Sequence, residues 1–239
     1  MIKSLIFYLG TILSLFLSLL VGPIRIKYLS LRGREEDKAK FINKITHKWA
    51  SFVMKISFAN IDVKGLENLP KDETVLFVAN HQSYLDIPLL MSVIDVPKGF
   101  IAKKELESWP AVSYWMKKIR CVFMDRDNMR KSAESIVEGI KILKSNYSMV
   151  IFPEGTRSNG GPHGEFKAGS FKLATKPKVA IVPVTIDGTY KILSGKFHMI
   201  KKSNVAITIH PKIDTKTLTN EELAALPSKV ENIVFSALK

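Results

Sequence analysis

The sequence predicts an α/β fold: a mixed sheet covered by helices, preceded by an N-terminal membrane-associated two-helix segment. Two observations carry that expectation. After about residue 60, short apolar runs of strand length alternate with stretches of helical periodicity, the pattern of a sheet buried on both faces. Before it, residues 4–24 carry no charge at all. The division expected is therefore a helical pair over 1–59 and an α/β domain over 60–239.

The N-terminal run is rich in Leu, Ile and Phe, and as a helix it would reach about 30 Å, the thickness of a hydrocarbon core. Gly22 and Pro23 then read as its terminator. A cleaved signal peptide shares the basic start and apolar middle, but no A-x-A-like site follows. A buried soluble helix would be apolar on nearly every face. A membrane-embedded helix fits best. In the next segment, Phe41, Ile42, Ile45, Trp49, Phe52, Val53 and Ile56 fall at helical spacing, with Lys38, Lys40, Lys44, Lys48 and Lys55 between them. Such a basic amphipathic helix beside an apolar one reads as a helix lying on an anionic bilayer surface, in preference to the alternative of a core-packed helix with a solvated face. Arg25, Lys27, Arg32 and Arg34 follow the run and only Lys3 precedes it. The positive-inside bias therefore puts the remainder of the chain in the cytoplasm, on the inner membrane.

In the globular part the expected strands are 61–63, 75–79, 100–102, 121–124, 149–152, 179–186 and 205–209. The expected helices are 85–93, 105–118 (disturbed by Pro110), 129–144 and a closing one over 219–238. Three polar loops directly follow apolar strands, at 80–86, 125–127 and 154–158. In open α/β sheets, function gathers at that end of the strands.

Composition narrows the partners. The 239 residues hold 36 Lys and Arg against 22 Asp and Glu, a net charge of +14, with 46% hydrophobic residues. That hydrophobic share excludes a disordered chain. The single Cys121 excludes an intramolecular disulfide and suits a reducing compartment. The positive excess calls for an anionic partner. Nucleic acid is not expected, because the globular part lacks an aromatic-interleaved basic stripe.

Each loop has a chemical and a bland reading. A turn after the strand 75–79 brings the carboxylate of Asp86 to one imidazole nitrogen of His81, fixing the tautomer and leaving the other nitrogen as a base. Alternatively, Ser83 and Asp86 form a helix N-cap pair. Arg126, after the strand 121–124, is either a phosphate ligand or half of a surface pair with Asp125. In the third loop Glu154 is followed by Gly155, Thr156 and Arg157: close backbone approach, a hydroxyl and a guanidinium, suited to a phosphate or simply a polar turn. Lys103 and Lys104 either join the basic cluster or are solvated. No G-x-S-x-G, G-x-x-x-x-G-K-[ST], H-E-x-x-H or C-x-x-C occurs, and His47, His81, His163, His198 and His210 show no metal-ligand spacing. No metal and no cofactor are expected; a general-base transfer remains.

Taken together these residues resemble the glycerolipid acyltransferases, most closely the 1-acyl-sn-glycerol-3-phosphate acyltransferases. Residues 80–86 match the N-H-x-S-x-x-D block, Phe123-Met124-Asp125-Arg126 is similar to the second block, 152–158 match the third and 181–184 resemble the fourth, in family order. One departure stands out: Arg120 occupies the position where the second block usually opens with Gly. The resemblance implies that His81 takes a proton from an acceptor hydroxyl, with Asp86 orienting it, and that the hydroxyl attacks an acyl thioester with no acyl-enzyme. It implies an acceptor-phosphate pocket of Arg126, Glu154, Gly155, Thr156 and Arg157, joined by Lys104. A carboxylate repels phosphate, so Glu154 is assigned to holding Arg126, Arg157 or a backbone donor. Val182, Pro183 and Val184 are implied near the acyl donor. The implied partners are a phospholipid membrane, lysophosphatidate, and acyl carrier protein or coenzyme A as the thioester co-substrate. The implied product is phosphatidic acid, acylated at the sn-2 hydroxyl. Alternatives are another acceptor, glycerol-3-phosphate or a different lysophospholipid, and a non-catalytic lipid-binding module.

Overall fold

The computed structural model describes residues 1–194 and 198–238. Two helices lead, α1 (Ile2–Leu31) and α2 (Glu35–Ile56). The sheet-forming part then runs β1 (Asn60–Lys64), β2 (Val75–Ala79), α3 (Asp86–Val93), β3 (Lys98–Lys103), α4 (Pro110–Lys118), β4 (Val122–Met124), α5 (Met129–Lys144), β5 (Ser148–Ile151), α6 (Lys172–Thr175) and β6 (Ala180–Asp187). A small hairpin, β7 (Leu193–Ser194) with β8 (Met199–Ile200), precedes β9 (Asn204–Ile209) and α7 (Asn220–Ser236). The sheet order is β1-β9-β6-β2-β5-β3-β4. The pairs from β6 to β4 are parallel, while β9 meets β6 antiparallel and β1 follows β9. The sheet is mixed, as expected.

The strand sequences explain their places. β2 and β5 are buried at every residue, as strands covered on both faces must be. β1 alternates exposed and partly buried residues, as an edge strand does. Along β2, Val75, Phe77 and Ala79 join Val150, Val182 and Val184 in one apolar layer, closed by Val53 and Met54 of α2, Leu89 and Leu90 of α3 and Trp115 of α4. Leu76 and Val78 face the other way, against Leu143 of α5, Leu173 of α6 and Leu226, Val230 and Val234 of α7. Phe7 and Ile26 of α1 belong to the first layer.

Two local expectations change. Gly22 and Pro23 do not end α1, which continues to Leu31. A proline costs a helix one N–H, and here the helix is held from the side. Gly22 makes room for the Trp115 ring (a Cβ there would come within 2.4 Å of it) and Trp115 Nε1 donates to Ser18 Oγ at 2.8 Å. Neighbouring helices stabilise a proline-containing helix in this way. The helix expected over 105–118 divides instead into a 3-10 turn, Lys104–Ser108, and α4, with Pro110 in the first helical turn. Proline's fixed φ starts helices well and interrupts them badly. The hairpin β7–β8 had no sequence signal. The closing helix forms as expected and begins with a capping box: Thr219 Oγ1 accepts from Glu222 N at 3.2 Å and Glu222 Oε2 accepts from Thr219 N at 2.8 Å.

Leu5, Leu9, Leu13, Phe16, Leu20 and Ile24 of α1 are each more than half exposed. By length and composition α1 is capable of crossing a membrane, and only 11% of its most apolar stretch is buried in protein.

Candidate active site

Three loops meet beyond the C-terminal ends of β2, β4 and β5. The chain leaves β2 at Asn80, whose side chain clamps the neighbouring strand: Oδ1 accepts from Ile186 N at 2.7 Å and Nδ2 donates to Ile186 O at 2.8 Å. The next residue is His81. Its Nδ1 lies 2.6 Å from Asp86 Oδ2. An ionised carboxylate only accepts, so Nδ1 carries a proton, and in the neutral ring Nε2 is then the nitrogen with the lone pair. The imidazole stacks on Phe152 at 4.1 Å between centroids, which fixes the ring plane. Its side chain keeps 14% exposure while Asp86 has none, so the pair is accessible only from the histidine end.

Asp86 does more than orient the ring. Oδ2 also accepts the backbone N–H groups of Gln82 at 2.6 Å and Ser83 at 2.9 Å. The N-cap position of α3 is Leu85 and no side chain caps it; the bonds from Gln82 N and Ser83 N close the turn that precedes the helix. The Ser83 hydroxyl turns instead to Leu85 N at 3.1 Å. Of the two readings of the motif, the histidine–aspartate pair forms and the Ser83–Asp86 helix N-cap does not, because the cap position falls on Leu85.

The loop after β5 docks onto this turn. Ser158 N donates to His81 O at 2.9 Å and Asn159 N to Gln82 O at 3.1 Å. Glu154 is 4% exposed and takes two backbone donors, His81 N at 2.6 Å and Gly164 N at 2.9 Å. Burial pushes its carboxyl above the ordinary value, against the pull of those two donors. Of the roles the resemblance left to Glu154, this geometry is the third, holding backbone donors; the carboxylate does not grip either arginine.

The cations gather beside it. Arg126 donates to the carbonyl of Gly155, a neutral acceptor that does not cancel its charge. Burial first, then the neighbouring Arg157, pull its pKa below the ordinary value, with Glu105 opposing; an anion placed between the two guanidiniums favours the charged form of both. Arg157 lies over the Tyr84 ring, 3.6 Å from the centroid. Gly155 has φ +73, and a Cβ there would come within 2.8 Å of Lys167 Nζ. Lys167 is a further cation at this loop that sequence reasoning missed. Thr156 is exposed. The expected alternative of an Asp125–Arg126 pair is replaced by other partners: Asp125 Oδ2 lies 3.3 Å from Lys104 Nζ and 3.7 Å from Lys131 Nζ. Lys104 is therefore at the cluster's edge, already engaged with a carboxylate.

Val182, Pro183 and Val184 sit in β6, in register with β2 (Val78 opposite Pro183, Ala79 opposite Val184). All three are buried. They form the wall beneath the site, and no side chain of the three opens onto its surface. Asn80 and Gln82 were inside the recognised block but had no assigned task. Gln82 Oε1 accepts from Gly188 N at 2.8 Å, a partner 106 residues away that no local pattern announces.

Similarity to known proteins agrees with this geometry. A family model described as Acyltransferase matches residues 60–187, more than half of the chain. A chloroplastic 1-acyl-sn-glycerol-3-phosphate acyltransferase of Arabidopsis thaliana is 38% identical over 178 residues, covering 74% of this chain and 49% of the relative. A protein of the same name from Borreliella burgdorferi is 32% identical, covering 75% of this chain and 72% of its own length. The chain thus spans about half the length of the plant relative and most of the bacterial one. The crystal structure of a 1-acyl-sn-glycerophosphate acyltransferase from Thermotoga maritima superposes with a TM-score of 0.75 at 30% identity, covering 95% of this chain and 94% of that one. By fold, site geometry and sequence, this chain belongs to the acyltransferase family.

Proposed function

We propose that the protein transfers an acyl group from a thioester, carried by acyl carrier protein or coenzyme A, to the sn-2 hydroxyl of 1-acyl-glycerol-3-phosphate, forming phosphatidic acid. The single observation that carries this reading is the His81–Asp86 pair, with Nε2 on the side of the ring away from the carboxylate and a cationic loop cluster beside it. The names of the relatives supply the acceptor.

The reaction balances through one imidazole. Nε2 takes the acceptor's hydroxyl proton as the oxygen attacks the thioester carbon. The imidazolium formed is stabilised by Asp86 at 2.6 Å. When the tetrahedral adduct collapses, the C–S bond breaks and the departing sulfur receives that proton from Nε2, leaving His81 neutral. No acyl-enzyme is required. General-base assistance of this kind contributes about 10²–10⁴ in rate, and holding both substrates in place supplies much of the rest. Arg126 and Arg157, with Gly155, Thr156 and Lys104 around them, take the acceptor phosphate. Glu154 keeps the loops in register. Val182, Pro183 and Val184 act as a buried wall, shaping the donor side from beneath.

An acceptor with an acyl chain resides in a bilayer, which matches the uncovered apolar face of α1. The cationic flank at Arg25, Lys27, Arg32 and Arg34 favours the cytoplasmic face of the inner membrane, where the soluble anionic donors are. The test is mass spectrometry of products from purified protein offered lysophosphatidate, glycerol-3-phosphate and other lysophospholipids with each thioester. Phosphatidic acid should form, and His81→Ala should abolish it. Turnover retained in His81→Ala overturns the mechanism, and lipid binding without any thioester-dependent product overturns the activity.

A further inference from the structure

Thr189 lies outside every block that the sequence singles out, yet it touches the centre of the site. It is wholly buried, and its Oγ1–H donates to Asp86 Oδ1. The load on the Asp86 carboxylate is lopsided. Oδ2 takes His81 Nδ1–H, Gln82 N–H and Ser83 N–H, while Oδ1 receives the Thr189 hydroxyl. Asp86 has no exposure to water, so Oδ1 has no solvent donor to fall back on. A buried anionic oxygen without a donor is costly, and the group relieves that cost by turning about Cβ–Cγ or by binding a proton. Either change takes Oδ2 away from its role as pure acceptor for the imidazole.

The backbone that delivers Thr189 is built for closeness. Gly188 has φ +92, and a Cβ there would come within 2.5 Å of Asn204 O, so only glycine allows the turn that ends β6. The same end of β6 is bound to the 80–86 loop by the paired Asn80–Ile186 bonds and by Gly188 N to Gln82 Oε1. The Thr189–Asp86 bond is the last of this series, and the one that lands on a functional carboxylate.

From this geometry we propose that Thr189 is a positioning residue of the acyl-transfer site. Its hydroxyl locks the plane of the Asp86 carboxylate, which in turn holds His81 with the proton on Nδ1 and the lone pair on Nε2. The proposal rests on the general-base reading of His81, and the experiment separates the two. Full-length protein labelled with ¹⁵N in its histidine rings is prepared as wild type, Thr189→Val and Thr189→Ser. The downfield proton resonance of His81 Nδ1–H is assigned by its loss in His81→Asn. Wild type and Thr189→Ser, which keeps the hydroxyl, should show it at the same position. Thr189→Val, which keeps the shape and removes the donor, should shift or lose it. In the thioester and lysophosphatidate assay, kcat of Thr189→Val should fall about 10- to 100-fold with KM little changed, and Thr189→Ser should restore it.

An unaltered resonance and kcat in Thr189→Val overturns the proposal. So does a folded Thr189→Ser that has lost both. If Thr189→Val does not fold, Thr189→Ala is judged by the same two readouts. The resonance needs no substrate, so a wild-type protein inactive on lysophosphatidate would sink the assigned activity while the Thr189–Asp86–His81 coupling is still read directly.

Discussion

Glu154 Oε1 accepts the backbone N–H of His81 at 2.6 Å, so the residue that carries the imidazole is gripped from another loop at its main chain, not at its ring. The consequence is a site whose two halves, 80–86 and 154–159, are fixed to each other before any substrate arrives. Preorganisation of this kind is what lets a site act without moving at the moment of reaction.

Replacing Glu154 by Gln tests that coupling. A glutamine presents one oxygen and one NH₂, so one of the two backbone donors, His81 N or Gly164 N, faces another donor. The expected cost is about 1–3 kcal/mol of stability, with kcat falling about tenfold or more as His81 shifts. Thermal melts and steady-state kinetics check this together. A Glu154→Gln protein with wild-type melting and wild-type kcat would show that the loops do not depend on this carboxylate.

A second prediction concerns pH and lies far from the site. Lys98, 6% exposed, donates to Val96 O at 3.1 Å and to Ile94 O. Burial pulls its pKa from 10.5 down to about 7, with Asp95 opposing. Between those values the unfolded chain binds the proton and the folded one does not. Stability therefore rises with pH across that window, by up to about 1.4 kcal/mol per pH unit. The contribution is complete above the unfolded value and lost as pH falls through about 7. The melting temperature should increase from pH 7 to pH 9 in the wild type, and Lys98→Met should flatten that increase. Parallel curves for the two proteins would remove Lys98 as the cause.

A third prediction concerns the departure at Arg120. Its φ is +56, the left-handed region that glycine favours and other residues enter at roughly 1–2 kcal/mol. The arginine offsets this with contacts of its own: the guanidinium sits 4.8 Å from the Tyr147 ring centroid, and NH1 donates to Ser145 Oγ at 3.2 Å. It lies at the start of β4, the opposite end from Arg126. Arg120→Gly should leave kcat and KM unchanged and alter stability by less than about 1 kcal/mol, strain relieved against stacking lost. Arg120→Val should destabilise by about 2 kcal/mol, since a β-branched residue tolerates that φ worst. A change of acceptor preference in Arg120→Gly would tie this position to the site after all.

The amino-acid sequence by itself determined the local chemistry. Apolar runs bounded by polar loops located the strands, and β2 forms over the very residues 75–79 that the pattern marked. It also put His81 and Asp86 close enough along the chain for a single turn to join them. What it could not reveal is whatever depends on partners distant along the chain. Strand order, the continuation of α1 past Gly22 and Pro23 against Trp115, the Glu154 grip on His81, and the Thr189 hydroxyl on Asp86 all join residues between 73 and 106 positions apart or elements packed side by side. Periodicity and turn propensity report on neighbours within a few residues, whereas these contacts exist only because burial of two apolar layers forces the strands into one order and leaves each enclosed polar group to find its donor in whatever then lies beside it.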